Sequence, residues 1–464
     1  MTQCDAKPGA PNTCPAGYHC AEDGYCDARC TPSGGECGDG YICTPDGRCR
    51  GEGECVGLEC NIVDCTKQGK PVTTIKGTVY APNGTLPLYG IQVYVPNAPV
   101  PPFTEGAICD RCNDELPGNP VVRTQTDEAG SFTLPNAPSG QNIPLVISSG
   151  KWRRQITIAS VSECTDNTAP ATDTRLPKNR TEGDIPRIAL TTGSADSLEC
   201  LLRRIGIDDA EIGKAGDDRR IHLYAGNGVS SFQANFAGGS GQIPSADPWW
   251  RSVDNLKPYD IVILSCEGAQ NPDTKGQDGL NAMKAYADLG GRVFASHWHN
   301  FWIAGEYGGG APTTPWRSVA TWGPSQNFTS AITDVIDEQK NPKGSSFATW
   351  MLNVMGSTVR DQIPIIADTG RTTVSALDDT KAERWTYIQG SMEPQNFQFT
   401  APITVPAAER CGKVVFSDMH VSGGPKMAGP YPDAPCGTTL TMSPQEKALA
   451  FMIFDIASCV GVLL

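Results

Sequence analysis

No run of about 18 apolar residues occurs in this 464-residue chain, so no segment reads as a membrane-spanning helix. A basic stripe is also missing. Lys and Arg total 37 against 51 Asp and Glu, for a net charge of −14. Phosphate backbones are repelled by such a balance, and nucleic acid is not an expected partner. Charged residues make up only 19% of the chain, too few for a disordered polyelectrolyte. The opening residues, Met1-Thr-Gln-Cys4-Asp5, carry neither the basic nor the apolar segment of a secretion signal. In a chain this rich in cysteine, a signal already removed or a longer precursor is expected. Histidine is scarce, with five residues. The length fits about two to four domains.

Cysteine, by contrast, is plentiful and clustered. Eleven of the 19 cysteines fall within the first 65 residues. Cys14, Cys20 and Cys26 form a C-x5-C-x5-C unit with Gly-Tyr before the middle Cys and Asp-Gly before the last. Cys37, Cys43 and Cys49 repeat it 23 residues on. A unit so short buries little apolar surface and needs staples. Structural zinc prefers closer ligand pairs, and His19 is the one histidine nearby, so disulfides are expected. Asp23, Asp27, Asp39 and Asp46 invite thoughts of calcium, but Asp-Gly is plain turn chemistry and no EF-hand pattern is present. Disulfides place the chain outside the reducing cytosol: extracellular, at the cell surface, or periplasmic. An odd total leaves at least one thiol without a partner in the chain. Cys266, at the end of an apolar strand, is the expected one.

The texture changes at Val72. Residues 70–160 read as short strands separated by turns: Thr74 to Tyr80, Gly90 to Val95, Thr124 to Leu134, Ile143 to Ile147 and Arg153 to Ile158. Such spacing argues an antiparallel β-sandwich. Lys76-Gly-Thr-Val79, Ile91-Gln-Val93 and Thr126-Asp-Glu-Ala-Gly130-Ser-Phe132 resemble the carboxypeptidase-regulatory-like, transthyretin-like sandwich. In that family a Thr-Asp-x-x-Gly-x-Phe turn links two core strands. An insertion at 97–122 departs from it and carries Cys109 and Cys112. These two can be a redox pair, half a zinc site or a structural bridge. With no thioredoxin-like context around them, a bridge is expected.

Residues 161–184, rich in Thr, Asp, Pro and Asn, read as a linker. From 185 to 464 strands and helices alternate. Arg187 to Thr192, Arg220 to Tyr224, Asp260 to Leu264, Arg292 to Ser296 and Lys413 to Ser417 are predicted strands. Ser194 to Gly206, Gly276 to Leu289 and Ser443 to Ala457 are predicted helices. Alternation of this kind predicts an α/β doubly wound parallel sheet. Tyr259-Asp-Ile-Val-Ile-Leu264, then a helix, then Gly290-Gly-Arg-Val-Phe294 resembles the class I glutamine amidotransferase-like, flavodoxin-like superfamily. Active members follow the Gly-Gly strand with a Cys nucleophile on a sharp turn. This chain has Ala295-Ser-His297-Trp298 there. Asp418-Met-His420 stands where a His-x-Glu is usual, and no Glu follows. The resemblance therefore implies the fold without the glutaminase triad. As a whole, the layout is similar to secreted multidomain proteins of predatory soil bacteria of the myxobacterial type.

In open α/β sheets, ligands bind beyond the carboxyl ends of the strands. Thr191, Thr192, Cys266, Glu267, Ser296, His297, His299 and Asp418 to His420 follow predicted strand ends. His297 and His299, two apart, face one side if the segment is extended. With His420 or Glu267 they can make a divalent metal site of the zinc or iron kind. Glu267, Asp418 and His420 are candidate acid–base groups. Ser296 beside His420 is a weaker nucleophile candidate. Trp298, Trp302, Trp316 and Trp322 either form a sugar- or peptide-binding platform or fill a core under a long insertion. Cys411 and Cys436 flank a Gly/Pro-rich loop and are predicted to bridge it. Two function classes follow. One is a secreted or surface-displayed binding protein, taking an extracellular carbohydrate, peptide or protein, with a stapled stalk, a sandwich spacer and a non-catalytic head. The other is an extracellular hydrolase, metal-dependent or not, working through His297, His299 and His420.

Overall fold

The computed structural model describes residues 54–111, 115–236, 239–307, 309–421, 429–432, 436 and 441–458, preceded by residues 14, 19–20, 26–27, 30, 37, 41–43 and 49–51. Two short antiparallel pairs mark the cysteine repeats, His19–Cys20 with Cys26–Asp27 and Tyr41–Cys43 with Cys49–Gly51. Disulfides join Cys30 to Cys43, Cys37 to Cys49 and Cys55 to Cys60. Cys14 and Cys20 are also disulfide-bonded. Cys112 and the side chain of Cys26 lie outside the described residues.

The next seven strands are β1 (Thr74–Thr78), β2 (Gln92–Pro96), β3 (Pro120–Gln125), β4 (Ser131–Pro135), β5 (Gly140–Ser149), β6 (Trp152–Val161) and β7 (Asp166–Thr168). They form a four-stranded sheet, β6-β5-β2-β3, and a three-stranded sheet, β7-β1-β4. Val93, Val95, Ile143, Leu145 and Ile147 from one sheet and Ile75, Phe132 and Leu134 from the other are buried in one core. The turn before β4 is tied by Asp127, whose Oδ1 accepts from Ala129 N at 2.9 Å and Ser131 N at 2.8 Å. Gly130 takes φ 73° there, and a Cβ would meet the carbonyl oxygen of Val79 at 2.9 Å, so only glycine fits. The 161–184 segment is not a loose linker. It supplies β7, which pairs in parallel with β1, and Cys164 bridges to Cys65. Thr174 and Leu176 are fully buried.

Twelve further strands follow: β8 (Ile188–Thr192), β9 (Ile212–Lys214), β10 (Ile221–Ala225), β11 (Ile261–Leu264), β12 (Arg292–Ser296), β13 (Ala320–Phe328), β14 (Ile332–Ile336), β15 (Gln362–Ile365), β16 (Gly370–Leu377), β17 (Glu383–Ile388), β18 (Pro394–Ala401) and β19 (Gly412–Ser417). The helices are α1 (Leu198–Arg204), α2 (Ala246–Trp250), α3 (Val253–Leu256), α4 (Pro272–Asp288), α5 (Phe301–Ala304), α6 (Gly344–Asn353) and α7 (Pro444–Ala457). Ten strands make one sheet in the order β9-β10-β8-β11-β12-β19-β18-β17-β14-β15. The first six are mutually parallel, and the last four join antiparallel. The expected parallel sheet is present over six strands, and residues from 332 to 401 extend it with four antiparallel strands that the sequence reading did not foresee. Strands β13 and β16 form a separate two-stranded sheet.

Strand β11 is buried along its whole length, as a central parallel strand must be. Its side chains alternate between two cores. Ile261 and Ile263 join the one containing α1 and α7, while Val262 and Leu264 join the one containing α4. Helices therefore cover both faces. Helix α7 starts with a capping box between Ser443 and Glu446 and has Pro444 in its first turn. Its Phe451 lies against Tyr89 of the sandwich at 5.9 Å, and Phe454 against Trp152 at 5.2 Å. The sandwich and the sheet thus share one hydrophobic core, and the sandwich is no spacer. Disulfides reinforce the union: Cys109 bonds Cys411, and Cys200 bonds Cys436. Both pairings replace expected ones, Cys109 with Cys112 and Cys411 with Cys436. The physical reason is that the 97–122 insertion sets Cys109 beside Cys411. It reaches the sheet, where Ala107 N donates to Lys257 O at 2.8 Å.

Candidate functional site

The parallel strands end on one rim. Leu264 of β11 stands beside Ala295 of β12, and Ser296 beside Ser417 of β19. The residues just beyond, Cys266, His297 and His420, therefore arrive at one place. One ligand-capable atom from each lies within 4.8 Å of the others. Cys266 Sγ is 3.5 Å from His297 Nδ1. The two imidazoles meet edge to face with centroids 5.1 Å apart. All three side chains are buried, and Cys266 is a free thiol. His297 sits at φ 43°, a left-handed conformation that a non-glycine residue adopts at some energetic cost. The chain turns sharply just after β12, with His297 at the turn.

Burial sets the protonation of this group. It pushes the Cys266 thiol up to about 12 and holds His297 down to about 3. His420 is held well below the usual imidazole range, by burial first and then by His297 and Arg371. Among the described residues, His297 Nε2 and both nitrogens of His420 have no hydrogen-bond partner. The backbone of His420 is pinned, its N–H donating to Thr369 O at 3.1 Å and its carbonyl accepting from Gln445 Nε2 at 2.6 Å.

The other rim candidates have structural work. Asp418 accepts from Thr373 N at 2.7 Å and from Thr373 Oγ1, and burial pushes it up to about 7. Glu267 is buried in an ion pair with the fully buried Lys275. Ser296 Oγ donates to Asp196 Oδ2 at 2.9 Å rather than facing His420. Asp196, which sequence reasoning missed, also accepts from Val421 N at 3.0 Å. It sits in the turn between β8 and α1, a position the strand-end rule covers.

His299 is not part of the cluster. The expected extended segment is a 3-10 turn, His297–Asn300, which sends the two imidazoles apart. His299 Nε2 bonds Ser265 O at 2.9 Å, and its Nδ1 accepts from Trp302 Nε1 at 2.9 Å, so both nitrogens are engaged. The thiol of Cys266 takes its place. Of the two readings of the tryptophans, the core one holds for Trp302 and Trp316, which are fully buried. Trp322 is half-buried on Phe416 and Phe397, and its Nε1 donates to Arg317 O at 3.1 Å. Trp298 is half-buried between His297 and Tyr307.

A second concavity lies where the sandwich meets the sheet. About 800 Å³ in volume, it is bordered by Tyr89, Gln92, Arg123 and Gln125 on one side and by Lys343 and Phe451 on the other. Arg123 and Gln125 are exposed, and Tyr89 and Gln92 are half-buried. At its base Asp455 is paired with Lys343 and Lys413.

No family model matches the chain, and no curated protein does. Among solved structures, a cytoplasmic protein from Salmonella typhimurium aligns over 59% of this chain and 98% of its own, with 11% identity and a TM-score of 0.31. A GH42 β-galactosidase aligns over 61% of this chain and 31% of its own, with 8% identity and a TM-score of 0.29. A cohesin–X-dockerin complex from Acetivibrio cellulolyticus aligns over 32% of this chain and 78% of that chain, with 15% identity and a TM-score of 0.15. These scores are too low to define a fold.

Proposed function

We propose that the chain is a secreted or cell-surface binding protein whose ligand, a carbohydrate, is held in the cleft between the sandwich and the sheet. The cleft carries this reading. It joins an aromatic surface, Tyr89 over Phe451, to the amides of Gln92 and Gln125 and the guanidinium of Arg123. Flat rings suit the apolar faces of sugars, and amides and guanidinium suit their hydroxyls. The disulfides support a location outside the reducing cytosol. Among the described residues, no helix is long and apolar enough to cross a membrane.

The order β10-β8-β11-β12-β19 within the parallel half supports the flavodoxin-like, amidotransferase-like reading of the head. Histidine in place of cysteine at the turn after β12 supports a head without glutaminase chemistry. A panel of soluble plant, fungal and bacterial cell-wall oligosaccharides, with acidic and basic peptides alongside, tests the proposal by calorimetric titration. At least one oligosaccharide is expected to bind, and Arg123→Ala with Gln125→Ala is expected to weaken it about tenfold. Binding of peptides alone would change the ligand class. No binding, or binding indifferent to both substitutions, would overturn the cleft as the site.

A further inference from the structure

We infer that Cys266, His297 and His420 form a centre for one divalent transition-metal ion of the zinc type, bound by the cysteine sulfur and one nitrogen of each imidazole. The inference is independent of the carbohydrate reading, since the cleft shares no residue with this cluster.

Geometry comes first. A tetrahedral ion with a metal–sulfur bond of about 2.3 Å and a metal–nitrogen bond of about 2.0–2.1 Å separates those two ligand atoms by about 3.6 Å. Cys266 Sγ and His297 Nδ1 stand 3.5 Å apart. His420 completes the triangle within 4.8 Å. Small rotations of its ring about the side-chain bonds bring a nitrogen to the third vertex. The ligand types follow: thiolate and imidazole together suit zinc and its neighbours, and not magnesium or calcium.

The second argument is the accounting of buried polar atoms. Interiors rarely leave such atoms unmatched, and each one left costs about 1–3 kcal/mol. Among the described residues, His297 Nε2 and both His420 nitrogens are buried without partners, in rings that lie beside one thiol. An ion bound through His297 Nδ1 takes up one of the two His420 nitrogens, and the remaining nitrogen of each ring carries the N–H. His299, two residues from His297, makes the contrast, because both its nitrogens are satisfied within the fold.

The third argument is rigidity. The Cys266 carbonyl accepts from Ala195 N at 3.0 Å. It also lies 2.2 Å from where a Cβ on Gly193 would stand, so only glycine is accommodated there. Together with the pinned backbone of His420 and the turn at His297, this fixes all three ligands on sheet-end backbone. Three protein ligands leave a fourth tetrahedral position open to water or a small ligand. Binding converts the Cys266 S–H to a metal thiolate and releases its proton to solvent. The ion, one thiolate and two neutral imidazoles carry a single positive charge.

Cobalt is the probe. The full chain, with its disulfides kept oxidised and any bound metal removed by chelator, is titrated with Co²⁺ and followed by absorbance. A thiolate-to-cobalt charge-transfer band should saturate at about one equivalent, and zinc should abolish it. The melting temperature should rise with added zinc. Cys266→Ser should lose the band, and His420→Gln should lose or greatly weaken it. Since either variant can fail to fold, the wild-type titration stands on its own. Less than about 0.2 equivalents bound with no charge-transfer band, or a band that persists in both folded variants, would overturn the inference.

Discussion

His222 is buried in β10 with both ring nitrogens occupied. Tyr259 Oη lies 2.8 Å from Nδ1, and Asp217 O lies 3.1 Å from Nε2. Burial, with the nearby Arg187 charge, holds it down to about 4. Its unfolded value is about 6.5, so the folded state resists the proton. The stability it lends is complete above about 6.5 and is lost as the pH falls toward 4, with a slope of up to about 1.4 kcal/mol per pH unit. Denaturant melts between pH 7 and 4.5 should therefore be less steeply pH-dependent in His222→Gln than in the parent chain. Equal slopes would show that His222 takes no part. Asp334 runs the other way. Burial, with Asp418 adding to it, pushes Asp334 up to about 8, so it favours folding at low pH and weakens it as the pH rises from about 3.9. Asp334→Asn should gain stability at pH 8 relative to pH 5, and a loss at both would contradict this. Much at this scale was legible in the sequence. His297 and His420 follow strand ends, and the strand-end rule brought them together. The rule placed Cys266 on the same rim, but an apolar strand end reads as a buried thiol, and its neighbours emerge only from the register of β11 against β12. His299 was misassigned because an extended segment was expected where the chain turns.

Among the elements, the contact between the insertion and the sheet depends on glycine at the end of α4. Gly290 takes φ 104°, and a Cβ there would lie 2.1 Å from Ile108 O. Gly290→Ala should lower stability by about 1–3 kcal/mol, read as a fall in melting temperature, and a change below about 0.5 kcal/mol would contradict the close approach. The five parallel strands that follow one another through aliphatic runs were visible in the sequence. The antiparallel half was not, and β18 shows why. Pro394-Gln-Asn-Phe-Gln-Phe-Thr-Ala401 is buried along its whole length. A run holding three amides does not read as a central strand. The amide nitrogens are accommodated by bonds within the fold: Asn396 Nδ2 donates to Thr386 Oγ1 at 2.7 Å, Gln398 Nε2 to Glu383 Oε2 at 2.9 Å, and Gln395 Nε2 to Arg371 O at 2.5 Å. Helix α7 was legible as a helix from Ser443 to Ala457. Its place between two layers was not, since a helix apolar all round names no partner.

For the whole molecule, the disulfides decide how the parts hold together. Cys65–Cys164 closes the sandwich, and Cys109–Cys411 ties its insertion to the sheet across 302 residues of sequence. Replacing Cys109 and Cys411 together with serine should cost about 2–5 kcal/mol in a denaturant melt and leave a single transition, because the shared core around α7 persists. Two separate transitions would mean that sandwich and sheet are independent. Connectivity was beyond the sequence, because spacing does not reveal which distant cysteines the fold brings together. The measurement that bears most directly on function is hydrogen exchange of the full chain with and without the tightest-binding oligosaccharide. Protection is predicted at residues 88–92 and 123–125 of the sandwich and at residues 343–350 and 451–455 across the cleft. Protection confined to the strand-end rim, at 266–268, 297–300 and 417–420, would contradict a ligand held between sandwich and sheet.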